Sequence, residues 1–284
     1  MCATCVGRPS STSASDPPGA RPRADRRLGQ HFLFDPSILR RIVAAAGDLA
    51  GRTVVEVGPG PGGLTRALLA AGPARLVAIE RDPRFVAQLR ALETEAGGRL
   101  TIVAADALTV DPGAWADGGP VRIVANLPYN VATPLLFGWL DRLDAIGPMV
   151  LMFQKEVALR LVAHPGGADY GRLAVMAQLL CRVERLFDLP PAAFRPPPKV
   201  SSSVVRLTPR ADRPPPELVR AVAAVARAAF GQRRKMLRSS LRGLVPDPAT
   251  LLADAGIDGS RRAEELTLAE FRGLAERHLA RGGA

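Results

Sequence analysis

Short apolar runs alternate with stretches of helical periodicity along residues 28–210. The apolar runs, rich in β-branched residues, predict strands at 53–57, 75–79, 100–104, 121–125 and 148–153. Asp35 before Pro36 predicts an N-cap and a first helical turn, and we expect this helix to continue to about Ala46. Strands that alternate with helices are typical of a parallel sheet covered on both faces. The pattern therefore predicts a doubly wound, Rossmann-like α/β fold.

The sequence changes character after residue 210. Three consecutive prolines, Pro214 to Pro216, interrupt it, and the remainder carries Ala, Leu and Arg at helical spacing. We therefore expect an α/β domain at 28–210 and a small all-helical domain at 211–284. Residues 1–27 are rich in Ser, Pro, Gly and Arg and have little to bury, which predicts a disordered leader. Acidic and helix-breaking residues within it argue against a transit peptide.

Four predicted strands are followed by residues suited to ligand binding, namely Gly58, Glu80, Asp106 and Asn126. Ligands of open α/β sheets bind outside the carboxyl ends of the strands, so these residues should line one crevice. The glycine-rich loop 58–63 lets the backbone approach a ligand closely before a helix begins. Glu80 can accept both ribose hydroxyls of a nucleoside, and Asp106 can accept a hydrogen bond from an adenine amine. Either acid alone can equally be a turn residue or a helix cap.

The glycine loop does not choose the cofactor by itself. Gly58, Gly60 and Gly63 satisfy the dinucleotide-binding spacing and Glu80 lies near the expected distance, so an NAD-dependent oxidoreductase is a real alternative. Against it, Glu56 precedes the loop within the strand and two prolines interleave the glycines. An obvious proton donor for a carbonyl substrate is also missing. We therefore favour S-adenosylmethionine as the cofactor.

Asn126, Leu127, Pro128 and Tyr129 follow the fourth apolar run directly. An exocyclic amine of a nucleobase is a poor nucleophile, and the oxygens of the Asn126 amide and the Leu127 carbonyl can activate it by accepting its hydrogens. Pro128 restricts the backbone so that this carbonyl can face a pocket, and Tyr129 offers a flat face to a base. The turn indicates a methyltransferase that acts on a base amine. An ordinary strand ending in an Asn-x-Pro turn is the alternative.

Composition and charge limit the kinds of molecule that the protein can bind. The chain has 284 residues, 47% of them apolar, and a formal net charge of +11, which favours a polyanionic partner such as nucleic acid. Uninterrupted apolar runs stay well short of the about 18 residues of a membrane span, so we expect a cytoplasmic protein that is not bound to membranes. The cysteines Cys2, Cys5 and Cys181 do not form a disulfide framework or a closed zinc site, and the three histidines are scattered. No metal is predicted.

Six segments of the chain carry a resemblance to one family. They are Gly29-Gln30-His31-Phe32-Leu33, Glu56-Val57-Gly58-Pro59-Gly60, Asn126-Leu127-Pro128-Tyr129, Phe153-Gln154-Lys155-Glu156-Val157, Asp169-Tyr170-Gly171-Arg172-Leu173 and Phe194-Arg195-Pro196-Pro197-Pro198-Lys199-Val200. In this order they look like the successive signatures of the ribosomal RNA adenine dimethyltransferases. The similarity extends from Leu28 to about Glu270 and leaves only the leader uncovered.

The resemblance implies roles for individual residues. Residues that would hold S-adenosylmethionine and its product S-adenosylhomocysteine are Gln30, His31, Leu33, Glu56, Gly58, Gly60, Glu80, Asp106, Ala107 and Asn126. The segment from Gln30 to Leu33 would close over the methionine end, Glu80 would hold the ribose and Asp106 the adenine. Leu127 and Pro128 would complete the catalytic turn, and Tyr129 and Phe194 would sandwich the flipped-out base.

Two positions depart from the pattern of the family that the chain resembles. His31 stands where Asn is usual, which lets the contact made by the segment over the cofactor depend on pH. Ala174 follows Arg172 and Leu173 where Ser is common, and we expect this change to be tolerated. Neither departure removes a group that the reaction needs.

A basic segment at 230–238 also resembles the family. Helical phasing places Arg234 and Arg238 on one face, which can be a solvated face or an RNA-contacting one. We expect RNA contacts from Arg233, Arg234, Lys235, Arg238 and Lys199, made largely to phosphates.

Within the family that the chain resembles, the substrate can differ. The resemblance favours dimethylation of N6 of two adjacent adenosines near the 3′ end of small-subunit ribosomal RNA, in a pre-30S particle, by a monomer. A macrolide-resistance enzyme that modifies large-subunit RNA and a non-catalytic nucleic-acid-binding relative are the alternatives.

Overall fold

The computed structural model describes residues 30–283. The predicted leader at 1–27 and the pair Cys2 and Cys5 lie outside this range. The α/β part consists of β1 (Phe32–Leu33), α1 (Pro36–Ala45), β2 (Thr53–Val57), α2 (Gly63–Ala70), β3 (Arg75–Glu80), α3 (Pro83–Glu95), β4 (Leu100–Ala104), β5 (Val121–Asn126), α4 (Ala132–Leu140), β6 (Ile146–Gln154), α5 (Lys155–Val162), α6 (Arg172–Leu180), β7 (Cys181–Leu189), β8 (Phe194–Arg195) and β9 (Ser202–Pro209). The helices α7 (Pro216–Gly231), α8 (Leu237–Ser240), α9 (Pro248–Asp254) and α10 (Leu268–Ala280) follow.

The main sheet has seven strands in the order β4-β3-β2-β5-β6-β9-β7. The first five are parallel, and β9 is antiparallel to both β6 and β7. From β2 the chain proceeds outward through β3 and β4, and it then returns to place β5 on the other side of β2. This reversal of strand order opens a crevice at the carboxyl ends of β2 and β5. The predicted Rossmann-like α/β fold is confirmed.

The five predicted strands are all present, two of them with the predicted bounds. They were predictable because the middle strands are buried on both faces and therefore read as continuous apolar runs. The two strands beyond β6, namely β9 and the edge strand β7, escaped prediction. On β7, the alternation of apolar and polar residues breaks around Arg185, where the pairing register with β9 shifts, and Glu184 pairs with Arg206 of β9 at 3.0 Å. Strand identity there depends on pairing with a neighbour, which the local pattern does not reveal.

The first helix begins where the sequence predicts. The carboxylate of Asp35 accepts a hydrogen bond from the backbone N–H of Ser37 at 2.8 Å, and Pro36 occupies the first turn, where no N–H is needed. Asp82 and Pro83 repeat this arrangement at the start of α3. Leu39 and Ile42 bury the inner face of α1. The first helix is therefore fixed close to the crevice.

The helices after residue 210 pack on the α/β part. One apolar core continues from the sheet through Tyr170 and Ala174 into Leu218 of α7 and Phe271 of α10. The Phe230 ring stacks on Phe271 with centroids 5.6 Å apart and meets Tyr170 edge-on at 6.0 Å. The helical character of 211–284 is as predicted, while the division into two domains remains a prediction.

The prediction that Arg234 and Arg238 share one helix face is wrong. Helix α7 ends at Gly231, and the next helix begins only at Leu237. Leu237 is fully buried and its N–H donates to the carbonyl of Arg261 at 2.8 Å. Burial of this one apolar side chain and pairing with residues near 261 interrupt the helix. The basic side chains therefore extend from a turn and from the start of α8.

The continuous core predicts cooperative unfolding across residue 210. Phe271→Ala should lower the free energy of unfolding by about 3–5 kcal/mol, because it removes a fully buried ring. Trp115 and Trp139, the chain's two tryptophans, both lie in the α/β part. Denaturant unfolding followed by their fluorescence should shift as much as unfolding followed by far-ultraviolet circular dichroism. Phe34→Ala, at an exposed ring, should shift neither. An unshifted fluorescence transition in Phe271→Ala would show that the two parts unfold separately.

Candidate active site

The glycine-rich loop after β2 is pressed between two other segments. Gly58, Gly60 and Gly62 have φ angles of 69°, 52° and 83°, in the region that favours glycine. A Cβ atom on Gly60 would lie 2.6 Å from the ring of Phe32, and one on Gly58 would lie 3.3 Å from Pro128. Both the backbone conformation and the lack of space therefore require glycine. Close approach of the loop backbone to a ligand stays a prediction.

Glu80 fixes this loop to the end of β3. Its Oε2 accepts from the N–H of Gly60 at 3.0 Å, and its Oε1 accepts from the N–H of Asp82 at 2.9 Å. The side chain is 5% exposed, and burial raises its pKa above the ordinary value although these backbone donors oppose the shift. Each oxygen retains a second lone pair that can accept from a ligand hydroxyl.

Asp106 lies at the third strand end and begins the short 3-10 turn Ala107–Thr109. Its Oδ1 accepts from the N–H of Leu108 at 3.0 Å, as expected of a cap. Its Oδ2 accepts from Arg81 at 3.1 Å. Sequence reasoning missed Arg81. Its position directly after Glu80, at the mouth of the crevice, was the available signal.

Glu56 is the most deeply buried acid of the site. It is 1% exposed, and its Oε2 has no hydrogen-bond partner among the described residues. Burial raises its pKa to about 8 against the lowering effect of the neighbouring Thr65 hydroxyl, and the negative charge of Glu80 adds to the rise. The side chain borders a cavity shared with Leu33, Gly63 and Asn126. A buried acceptor without a partner suits a cationic ligand group.

The turn after β5 holds three side chains in defined positions. Leu127 is 1% exposed and anchors the turn in the core. The amide nitrogen of Asn126 donates to the carbonyl oxygen of His31 at 2.9 Å, so the amide oxygen is directed away from that carbonyl. The hydroxyl of Tyr129 lies 2.5 Å from the hydroxyl of Ser202 on β9. Burial raises the pKa of Tyr129, which keeps the phenol neutral. Ser202 was not predicted, since only the fold brings β9 to this turn.

Residues 30–33, the lid segment, cover one end of the crevice. Gln30 donates to Asp82 at 3.0 Å, and the ring of Phe32 meets Phe85 edge-on with centroids 5.1 Å apart. Leu33 is 5% exposed and pairs with Phe194 across the two-stranded sheet β1-β8. These contacts attach the lid segment to α3 and to the loop after β7.

Phe194 is not at the pocket surface. It is 1% exposed and packs with Leu33 and Leu39 in the core beside the sheet. The ring that faces Tyr129 is that of His31, at a centroid distance of 5.5 Å and an interplanar angle of 28°. The expected pair of open aromatic faces is therefore not formed in this structure, because the lid segment covers one of them.

The predicted cofactor residues come together in adjoining pockets. Gln30, His31, Gly58, Gly60, Glu80 and Asn126 border one pocket. Asp106 and Ala107 border a second, which shares Gly58, Glu80, Arg81 and Pro128 with the first. Leu33 and Glu56 border a third behind the glycine loop. The predicted residues therefore border three adjoining pockets that have lining residues in common.

The predicted RNA-contacting residues lie outside this crevice. Arg234, Lys235, Arg238 and Lys199 are exposed. Arg233 is engaged within the protein, donating to Glu264 at 2.9 Å and to the carbonyl of Ala168 at 2.6 Å. Its contacts hold the turn after α7 against the loop before α6.

Two kinds of feature do not occur in the described range. Among residues 30–283, no cluster of three or more His, Cys, Asp or Glu side chains is arranged to hold a metal ion. Within the same range, no helix has the length and apolar character to cross a membrane.

Comparison with known proteins gives consistent relatives. A family model described as ribosomal RNA adenine dimethylase matches residues 22–278. The chain is 57% identical to the ribosomal RNA small subunit methyltransferase A of Methylobacterium radiotolerans, over 89% of this chain and 87% of the relative. It is 52% identical to the protein of that name from Rhodospirillum rubrum, with the same two coverages.

Solved structures extend the comparison. A dimethyladenosine transferase from Plasmodium falciparum superimposes with a TM-score of 0.77 at 27% identity, covering 89% of this chain and 98% of that one. The 23S rRNA methyltransferase ErmE superimposes with a TM-score of 0.66 at 27% identity, covering 87% and 98%.

The buried acid Glu56 predicts a pH-dependent stability. Its pKa is raised from 4.5 to about 8, so the folded protein keeps a proton that the unfolded chain releases. The stabilisation is complete at low pH and is lost as pH rises toward about 8, by roughly 1.4 kcal/mol per pH unit at most. Glu56→Gln should therefore become more stable relative to the unsubstituted protein as pH rises from about 5 to about 8. Thermal or urea unfolding measures this difference.

The matched control is Glu217→Gln, at an exposed acid on α7. Its stability relative to the unsubstituted protein should not change with pH over this range. If the stability of Glu56→Gln relative to the unsubstituted protein also stays constant over this pH range, Glu56 is ionised in the folded protein at neutral pH, and the expectation is wrong.

Proposed function

The chain belongs to the ribosomal RNA adenine dimethylase family, and on that premise we propose that it transfers methyl groups from S-adenosylmethionine to N6 of two adjacent adenosines near the 3′ end of small-subunit ribosomal RNA. The observation that carries the proposal is the position of Asn126. Its side chain borders the same pocket as Tyr129, with the amide nitrogen donating to the carbonyl oxygen of His31 and the amide oxygen available to accept from an amine. A target amine on a base stacked against Tyr129 needs an acceptor at this place.

Sequence similarity favours the small subunit over the large one. Identity is 52–57% to relatives named for the small subunit and 27% to ErmE, which is named for 23S RNA. The TM-score is likewise higher for the dimethyladenosine transferase than for ErmE. An NAD-dependent oxidoreductase has no support among these relatives. The acids and the amide of the site also argue against a relative that only binds nucleic acid.

The crevice fits S-adenosylmethionine. This molecule carries a positively charged sulfonium and an ammonium group, and the crevice offers the buried carboxyls of Glu56 and Glu80. The unpartnered Oε2 of Glu56 would accept from the ammonium, Glu80 would hold the ribose, and Asp106 with the N–H of Ala107 would hold the adenine. When bound, the cofactor supplies an electrophilic methyl group and leaves as S-adenosylhomocysteine.

The residues of the turn after β5 would activate the amine. The lone pair of an exocyclic amine is delocalised into the ring, and acceptors for both of its hydrogens favour the tetrahedral nitrogen that attacks. The amide oxygen of Asn126 and the carbonyl of Leu127 would be these acceptors, with Pro128 keeping the carbonyl out of a helix. Tyr129 would stack on the base. One N–H proton is lost to water as each N–C bond forms.

Exposed basic residues would hold the RNA. Arg234, Lys235, Arg238 and Lys199 would contact phosphates, which gives affinity without reading the sequence. We infer that the substrate is a pre-30S particle, that the enzyme acts as a monomer, and that it works in the cytoplasm where such particles assemble. The helical part at 211–284 would position the crevice on the particle.

Removing the amide of Asn126 tests the catalytic role. Asn126→Ala should lower the rate of methyl transfer to undermethylated small subunits by at least roughly 10²-fold, because one acceptor that acts in the transition state is lost. Binding of S-adenosylmethionine, measured by calorimetry, should remain detectable. Gln88→Ala removes an exposed amide from α3 and should retain the full rate. Full turnover in Asn126→Ala would contradict the mechanism.

Reversing two charges tests the RNA-contacting role. Arg234→Glu combined with Arg238→Glu should weaken binding to small subunits and reduce the slope of log affinity against log salt concentration, because fewer counterions are released. Arg66→Glu with Arg90→Glu changes the net charge by the same amount on α2 and α3. This control should affect binding less. Equal effects would show that overall charge, and not this surface, governs affinity.

A further inference from the structure

The imidazole of His31 lies against the ring to which the function assigns base stacking. The two ring centroids are 5.5 Å apart with an interplanar angle of 28°. Nδ1 of His31 lies 2.8 Å from the carbonyl oxygen of Pro196. A carbonyl can only accept, so Nδ1 carries the proton and donates. The ring is therefore held in place by a stack on one side and a hydrogen bond at its edge.

A base does not fit between these two rings. Aromatic carbons in contact lie about 3.5 Å apart, so a base inserted between two rings needs a separation of about 7 Å. The observed 5.5 Å is shorter. His31 and Tyr129 thus cannot form the two walls of a filled slot as they stand. The imidazole instead lies against a face of the Tyr129 ring on which a base would stack.

We propose that the His31 ring, as it stacks on Tyr129 in this conformation, occupies the acceptor-base slot, and that it must leave the face of Tyr129 before the target adenine can stack there. This inference rests on the proposed function, because it identifies what competes with the substrate for that same site. The flat ring, the hydrogen bond from its edge and the stacking geometry all imitate a bound base. His31 therefore competes with the substrate base, and the stack and the hydrogen bond of its ring set part of the free energy that an entering base must supply.

Replacement of the His31 ring by a base requires only the side chain of His31 to move. The backbone of the lid segment is fixed by the pairing of Phe32 with Arg195 and of Leu33 with Phe194. The carbonyl oxygen of His31, which accepts from Asn126 at 2.9 Å, belongs to this backbone. Rotation of the imidazole about χ1 frees Tyr129 and leaves that hydrogen bond intact. The orientation of the Asn126 amide is then the same before and after the base enters.

Removing the ring tests the proposal, because alanine keeps the carbonyl and opens the slot. At saturating S-adenosylmethionine, His31→Ala should lower the KM for undermethylated small subunits by about two- to tenfold, the range expected for the loss of one competing ring pair. His31→Asn, which also lacks the ring, should act in the same direction and serves if the alanine variant folds poorly. His164→Ala, at an exposed histidine, should leave the KM unchanged.

A second measurement follows the base itself without chemistry. The probe is small-subunit RNA with 2-aminopurine at the target adenosine, mixed with enzyme and S-adenosylhomocysteine. Its fluorescence should show a larger fraction of target base withdrawn from the RNA stack with His31→Ala than with the unsubstituted protein. An unchanged or higher KM together with an unchanged or smaller unstacked fraction would overturn the proposal. Absence of methyl transfer by the unsubstituted protein would instead contradict the proposed function. This outcome differs from an unchanged KM in His31→Ala, which concerns the His31 ring alone.

Discussion

The hydrogen bond from the amide nitrogen of Asn126 to the carbonyl of His31 joins the parallel sheet to the segment that closes its crevice. Burial of Leu127 fixes the sheet side of this contact, and the pairing of β1 with β8 fixes the other side. Because the nitrogen is engaged, the oxygen of the same amide is directed away from the carbonyl of His31. One contact thus determines both where the crevice is closed and where an acceptor for an amine is placed.

Charge is divided between the inside and the outside of the protein. The chain carries a net charge of +11, yet the crevice is bordered by Glu56, Glu80 and Asp106. Acids in a buried crevice suit a cofactor with two positive charges, while exposed Arg and Lys residues suit phosphates. Burial raises the pKa values of Glu56 and Glu80, so a cationic ligand would find carboxyl groups that gain by ionising beside it. The cofactor is therefore attracted to the acidic crevice, and the RNA is attracted to the exposed basic residues.

The sequence was most informative where local pattern and tertiary structure agree. The parallel strands and the cap at Asp35 were predictable because burial on both faces and a capped first turn leave local signatures. Of the ten predicted cofactor residues, those from Glu56 to Asn126 came together because strand ends of a parallel sheet meet at one edge, whereas Gln30, His31 and Leu33 were identified only through the resemblance to the family.

Contacts made by distant segments could not be found in this way. Ser202 meets Tyr129 only because β9 joins the sheet, and Arg81 reaches Asp106 across two strand ends. The prediction that Arg234 and Arg238 share one helix face was wrong because burial of Leu237 interrupts the helix. Phe194 is covered because the lid segment pairs with β8. The ring that lies against Tyr129 is therefore that of His31 and not that of Phe194. Each of these differences arises from tertiary packing that outweighs local propensity.

Transfer of labelled methyl from S-adenosylmethionine to purified small subunits that lack adenine dimethylation tests the central claim most directly. Large-subunit RNA belongs in the same experiment as the competing substrate. We expect label in small-subunit RNA alone, recovered as N6,N6-dimethyladenosine at two adjacent positions. Label in large-subunit RNA, or no label in either, would contradict it.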